Sequence, residues 1–356
     1  MPNYKKSLIA FSIIPQILLL KVLANYPQFV ESVYSHGIYI YISKGMRYVF
    51  GWLPVSIGDI LYTLLSIYVI RWLVINRKRI IKDTRLWFLD LLSALSIGYF
   101  AFHLLWAFNY YRLPLHESLN IDKDYTTEEL IQLTEQLTKK VNAIHLSITN
   151  NDSVKVNMPY AKSELLKMIP EGYDQLSNTF PYLEYHPRSI KKSIYSLPLT
   201  YMGFSGYLNP FTNEAQIDGL IPSYKFPTTG SHEVAHQLGY AAENEANFIG
   251  SMAAMNHPDS YFQYSGHAFA LRHCLNEVYR RNPEAYKLFL PKLNKGIIKN
   301  YQEVSNFWDS YQNITEPLFK STYNNFLKAN NQSDGMESYS YVVALLVNYF
   351  KSYPLE

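Results

Sequence analysis

Three apolar stretches near the amino terminus limit what this chain can fold into more than any other feature. Residues 7–24, 54–75 and 87–108 are each close to the roughly 20 residues an α-helix needs to cross a hydrocarbon core of about 30 Å. Leu91 to Phe108 contains no Lys, Arg, Asp or Glu, and Asp59 and Arg71 lie only near the ends of the second stretch. Buried helices of soluble proteins usually keep a polar face, so the pattern predicts three transmembrane helices. Asp59 and Arg71 then read as snorkelling side chains, and His103 as packing against a neighbouring helix. The start with Lys5 and Lys6, an apolar run and Val22-Leu23-Ala24 also fits a cleaved signal peptide, which would remove the first span alone.

Charge orients these spans. The overall net charge of +3 hides two unlike halves: residues 1–115 hold 12 Lys and Arg against 4 Asp and Glu, and residues 116–356 hold 20 against 25. Basic residues gather at 5–6 and 71–85, while residues 25–53 carry only Lys44 and Arg47. By the positive-inside rule the amino terminus and the 76–86 loop face the cytoplasm, and everything after about Asn109 lies outside it. Trp52, Trp87, Trp106, Tyr110 and Tyr111 read as interfacial aromatics. Basic side chains at such a face meet anionic lipid, so the bilayer is the expected partner and nucleic acid is not. Cys274 is the single cysteine, which excludes an intramolecular disulfide and a cysteine-based zinc cluster.

The pattern divides the chain into a membrane anchor, 1–112, and an extracytoplasmic domain, 113–356. The second part reads as mostly α with a small β element (α+β). Thr126 and Glu129 open a capped amphipathic helix running to about Leu146. Shorter helical patterns follow near 160–168 and 171–178. Residues 193–217 turn β-rich, with Ile194 to Leu197, Tyr201 to Leu208 and Phe211 to Ile217 as strand candidates. After Thr228 the texture is helical again.

The chemistry concentrates in Ser231-His-Glu-Val-Ala-His-Gln-Leu-Gly-Tyr240. His232 and His236 are four apart, so a helix stacks them on one face, where both rings can reach a single Zn²⁺. Glu233 sits beside them as a candidate general base. A third ligand is required, and a continuous helix would carry Glu243 about 10 Å beyond His236. The chain must therefore turn, and Gly239 suits a left-handed helix stop. Glu243 and Glu245 are both candidate ligands. Two residues apart on one helix, they point about 200° apart, so one ion takes one of them.

Glu243-x-x-Ala246-Asn247 resembles the Glu-x-x-Ala-Asp/Asn signature of glutamate-zincin peptidases, including the membrane CAAX-prenyl protease type and anti-repressor peptidases. The resemblance implies that Glu243 is the third zinc ligand and that Asn247 orients a ligand histidine from outside the coordination sphere. The sequence departs from those families in its short spacing from His236 to Glu243 and in having Asn for the commoner Asp; Glu245 stays open as the ligand. Asn109 to Leu115, Gly206 to Ala215 and Tyr323 to Lys328, taken with the histidine motif, resemble a bacterial family of membrane-anchored, zinc-metallopeptidase-like proteins of uncharacterised role. That resemblance implies the membrane-anchored architecture and the metal site and supplies no substrate; with the charge pattern and the paired motif, the expectation is a zincin-like domain outside the bacterial inner membrane that hydrolyses a peptide or protein. Met202 to Ile217 can supply an edge strand for an extended peptide. Tyr264, His257, His267 and Tyr339 are candidate oxyanion donors. The alternative from another class is a membrane-anchored binding or scaffold protein whose zinc is structural or inactive.

Overall fold

The computed structural model describes residues 3–332, 335 and 341–355. Helices α1 (Asn3–Phe11) and α2 (Ile13–Leu23) run almost continuously. A π-helix over Val30–Ile38 leads into α3 (Tyr39–Phe50); α4 spans Ile57–Asn76 and α5 spans Thr84–Leu105. Tyr4–Leu23, Ile57–Asn76 and Thr84–Leu105 are long and apolar enough to cross a membrane. Their apolar side chains, Leu64, Ile67 and Ile70 among them, stand exposed on the outside of the molecule, as a lipid-facing surface requires. Among these helices α1 packs along α5, joined by Lys6 to Asp90 at 2.6 Å and by Ser12 to Ser96 at 2.9 Å.

The first turn of α4 belongs to the rest of the protein. Ser56 caps it by accepting from the Asp59 N–H at 3.0 Å. Glu214 accepts from the Ile57 and Gly58 N–H groups at 3.2 and 2.5 Å, placing an anion at the helix's positive end. Asp59 is fully buried and accepts from Ser193 Oγ at 2.9 Å, from the Ile194 N–H at 2.7 Å and from the Tyr207 hydroxyl. The snorkelling expected of Asp59 is therefore wrong, because three donors from the adjoining sheet region make burial cheaper than exposure. Arg71 does face outward.

Beyond residue 113 the chain is mostly helical: α6 (Thr127–Thr149), α7 (Lys162–Leu176), α8 (Ser196–Met202), α9 (Phe226–Gln237), α10 (Glu243–Met255), α11 (Ser260–Arg281), α12 (Lys295–Tyr311), α13 (Glu316–Ala329) and α14 (Val342–Ser352). The Thr126–Glu129 capping box is present in full and opens α6. The two short helical patterns expected near 160–168 and 171–178 are the single helix α7, whose Pro170 is buried along with Ile169 and Tyr173; tertiary burial outweighs the missing backbone donor. Three short strands, β1 (Ile190–Lys192), β2 (Gly206–Asn209) and β3 (Glu214–Ile217), form one sheet in the order β1-β3-β2. β1 runs parallel to β3, and β2 pairs antiparallel with it across a hairpin. The strand expected over Ile194 to Leu197 and the start of the one expected from Tyr201 fall instead on α8 and its entry. Pro198 lies in the first turn of α8, where its missing N–H costs nothing, and Gly203 closes it at φ 81°.

One core gathers α6, α7, α9, α10, α11 and α14 around residues such as Leu137, Ile169, Val234, Ala246 and Leu346. A second core joins Leu20, Tyr34, Tyr39, Trp106, Tyr110 and Tyr111 to Ala241 and Leu327, so packing is continuous across residue 112. Trp106, Tyr110 and Tyr111 are thus interior residues rather than interfacial ones, and the Trp106 indole N–H finds a protein carbonyl where a bilayer surface would have offered water. Trp52 is exposed, as an interfacial ring would be.

Candidate metal centre

Helix α9 lies between the sheet and α10, and it ends where the sequence says it should. Gly239 takes φ 92°, and the Tyr240 N–H returns to the Ala235 carbonyl at 3.1 Å. This left-handed stop reverses the chain, so that α10 begins with Glu243 in its first turn. The two helices touch closely: a Cβ on Gly250 would lie 2.6 Å from the His232 backbone nitrogen. A local turn and a small residue together bring the Glu243 carboxylate to the histidines.

The convergence is tight. Glu243 Oε2 is 3.3 Å from His232 Nε2 and 3.6 Å from His236 Nε2, and candidate ligand atoms of all three lie within 4.8 Å of one another. Ligands held about 2.0–2.2 Å from a tetrahedral ion sit roughly 3.3–3.6 Å apart, so the donor set fits a zinc-sized cation. The His236 Nδ1 is 2.7 Å from the Tyr240 carbonyl, which fixes the ring's tautomer and leaves Nε2 free for an ion. Glu245 points elsewhere: it accepts from the Leu115 N–H at 2.7 Å. Of the two carboxylates left open by the sequence, the structure brings Glu243 to the pair. Asn247 shares the cavity wall with His232, whose buried Nδ1 has no hydrogen-bond partner among the described residues.

Electrostatics follow from burial. Burial pushes Glu233 up to about 8, the neighbouring His236 opposing and Glu243 adding to the shift. Its Oε2 has no hydrogen-bond partner among the described residues. Burial alone would strip the proton from His236, but the Glu243 carboxylate beside it holds it up at about 9. Burial would likewise raise Glu243, yet the facing imidazoles keep it well below the usual carboxylate range.

Around these groups lies a cavity of about 650 Å³. β2 is the sheet's outer strand, and Gly206, Tyr207 and Leu208 line the cavity beside the centre. A Cβ on Gly206 would meet Glu233 Oε1 at 2.7 Å, so only glycine lets this strand approach the carboxylate so closely. The Tyr323 hydroxyl donates to Glu243 Oε1. Trp106 donates its indole N–H to the His236 carbonyl at 2.9 Å. Arg112 donates to the Gly239 carbonyl at 2.8 Å and pairs with Glu31 at 2.6 Å, pinning the turn between the two helices.

The sequence assigned no role to Gly206, Trp106, Tyr110, Arg112 or Tyr323 at this centre. All but Trp106 fall in residues 109–115, 206–215 and 323–328, the segments that carry the family resemblance, and all three segments meet here. The named oxyanion candidates do not come together. Tyr264 donates to Asn300 at 2.9 Å, His257 stacks on Phe262, and His267 bonds the Gln263 carbonyl; none lines the cavity. Each is tied up by helix packing. Tyr339 lies outside the described residues.

A family described as Protein of unknown function (DUF3810) matches residues 34–347. No curated protein and no solved structure matches the chain.

Proposed function

Because the chain belongs to this family, whose description assigns no activity, the chemistry rests on the centre, and we propose a membrane-anchored, zinc-dependent peptidase. The observation that carries this is the convergence of His232, His236 and Glu243 beside an unpartnered, buried Glu233 in the wall of a cavity. His232, His236 and Glu243 would hold Zn²⁺, which supplies a lowered water pKa and a polarised carbonyl when bound. Glu233 takes a proton from water as the water oxygen bonds to the scissile carbonyl carbon. It then delivers that proton to the amine nitrogen as the C–N bond breaks. Tyr323 steadies Glu243, Asn247 lines the cavity beside His232, and the outer edge of β2 offers backbone groups to an extended peptide. A purely structural site has no use for Glu233 and no need of a cavity.

The charge pattern supports an orientation with the amino terminus in the cytoplasm and the centre outside the inner membrane. The test is a purified full-length protein in detergent, analysed for zinc and assayed on a peptide library beside Glu233→Gln and His236→Ala. Wild type and Glu233→Gln are expected to hold about one zinc each, His236→Ala much less, and only wild type to cleave. Zinc-free wild type ends the metal reading; a zinc-loaded wild type that cleaves nothing ends the peptidase reading.

A further inference from the structure

The cavity has an unusual set of walls. Tyr62 comes from α4 and Phe102 from α5, both in helices long and apolar enough to span a membrane. Tyr62 lies near the first turn of α4 and Phe102 near the last turn of α5, which are the ends on one side of the membrane in an up-and-down path. Tyr62 stacks at 6.4 Å on Tyr207 of β2, and Phe102 lies 5.9 Å from Phe326 of α13, so both reach the walls that flank the centre. Among the described residues α1 packs along the length of α5, whereas α4 does not pack along either. α4 and α5 meet through Trp72 and Trp87, 5.9 Å apart at the ends away from the cavity, while their near ends carry its two walls.

The rim agrees. Ile194, Leu197, Tyr201, Ile314 and Leu318 are exposed on and beside α8 and α13, which touch each other. The Tyr195 hydroxyl bonds Thr63 of α4, setting this apolar rim beside the spanning helix. Exposed apolar surface that continues into apolar spans marks contact with lipid.

We propose that the substrate is a polypeptide anchored in the membrane, and that its apolar segment enters the cavity sideways between α4 and α5, with the cleaved bond held at the outer membrane surface. This rests on the peptidase reading and narrows it: the membrane holds the substrate as well as the enzyme, and β2 receives the residues next to its apolar segment.

The test uses full-length protein in phospholipid nanodiscs and three fluorogenic peptides sharing one cleavable stretch. In the first, the stretch directly follows a transmembrane segment; in the second, a long hydrophilic spacer separates them; the third has no transmembrane segment. Binding is read by energy transfer with zinc-loaded Glu233→Gln, and cleavage with wild type. The first peptide is expected to bind and be cleaved at least tenfold better than the other two, and Tyr62→Glu to shrink that ratio. Equal handling of the first two peptides, showing that tethering alone suffices, overturns the proposal. So does equal handling of all three, and in both cases the peptidase reading stands. If zinc-loaded wild type cleaves none of them, nor any peptide of the library, the peptidase reading falls and takes this inference with it.

Discussion

Single residues decide how close chemical groups come. Gly206 sets β2 against Glu233, and an added methyl would meet the carboxylate at 2.7 Å. Gly206→Ala should keep its zinc and lose about a hundredfold in cleavage, the usual worth of a displaced general base; metal analysis beside a turnover assay checks it. His267, which does not line the cavity, carries a stability signature. Burial, with Lys140 adding to it against the Gln263 carbonyl, pulls its pKa down to about 4, below the roughly 6.5 of an unfolded histidine. Between those values the unfolded chain binds the proton more readily, so this stability is complete above about pH 6.5 and is lost as pH falls toward 4. It amounts to about 2 kcal/mol lost by pH 5. His267→Gln should show a smaller stability difference between pH 5 and pH 7.5 in denaturant titrations than wild type shows.

Elements decide which residues meet. α9 and α10 touch at Gly250, so Gly250→Ala must part them at the backbone of His232. Overpacking of this kind costs roughly 1–3 kcal/mol; thermal unfolding should register it, and zinc affinity should fall because His232 and Glu243 stand on the two helices being separated. Local rules foretold much of this geometry. The four-residue histidine spacing, the glycine stop and the capping box each act over a few residues, and each occurs as read. The choice between Glu243 and Glu245 needed the direction in which α10 leaves the turn. Tyr323 is 80 residues from Glu243 in sequence, and Trp106 is 130 from His236; no local pattern picks one tyrosine from 32. Asp59 misled because its compensating donors lie more than 130 residues away. β1 escaped notice because three residues are too few to display an alternation.

The whole molecule joins its apolar and polar parts through a shared interior. Trp106, Tyr110 and Tyr111 pack with Ala241 and Leu327, and Arg112 holds the turn that carries the third candidate ligand. A fragment of residues 113–356 should therefore bind a hydrophobic dye, unfold without a sharp transition and hold far less zinc than the full chain. Cooperative unfolding of a zinc-loaded fragment would contradict this. The same arrangement carries a consequence for synthesis. Trp106 leaves the ribosome early and Tyr323 late, and both bear on the same pair of helices. A nascent chain that has already emerged with its histidines still lacks the helix that supplies Tyr323 and Phe326 to the cavity. The centre is complete only once Tyr323 and Phe326 have been made, so a chain halted partway through synthesis carries its histidines in an unfinished pocket.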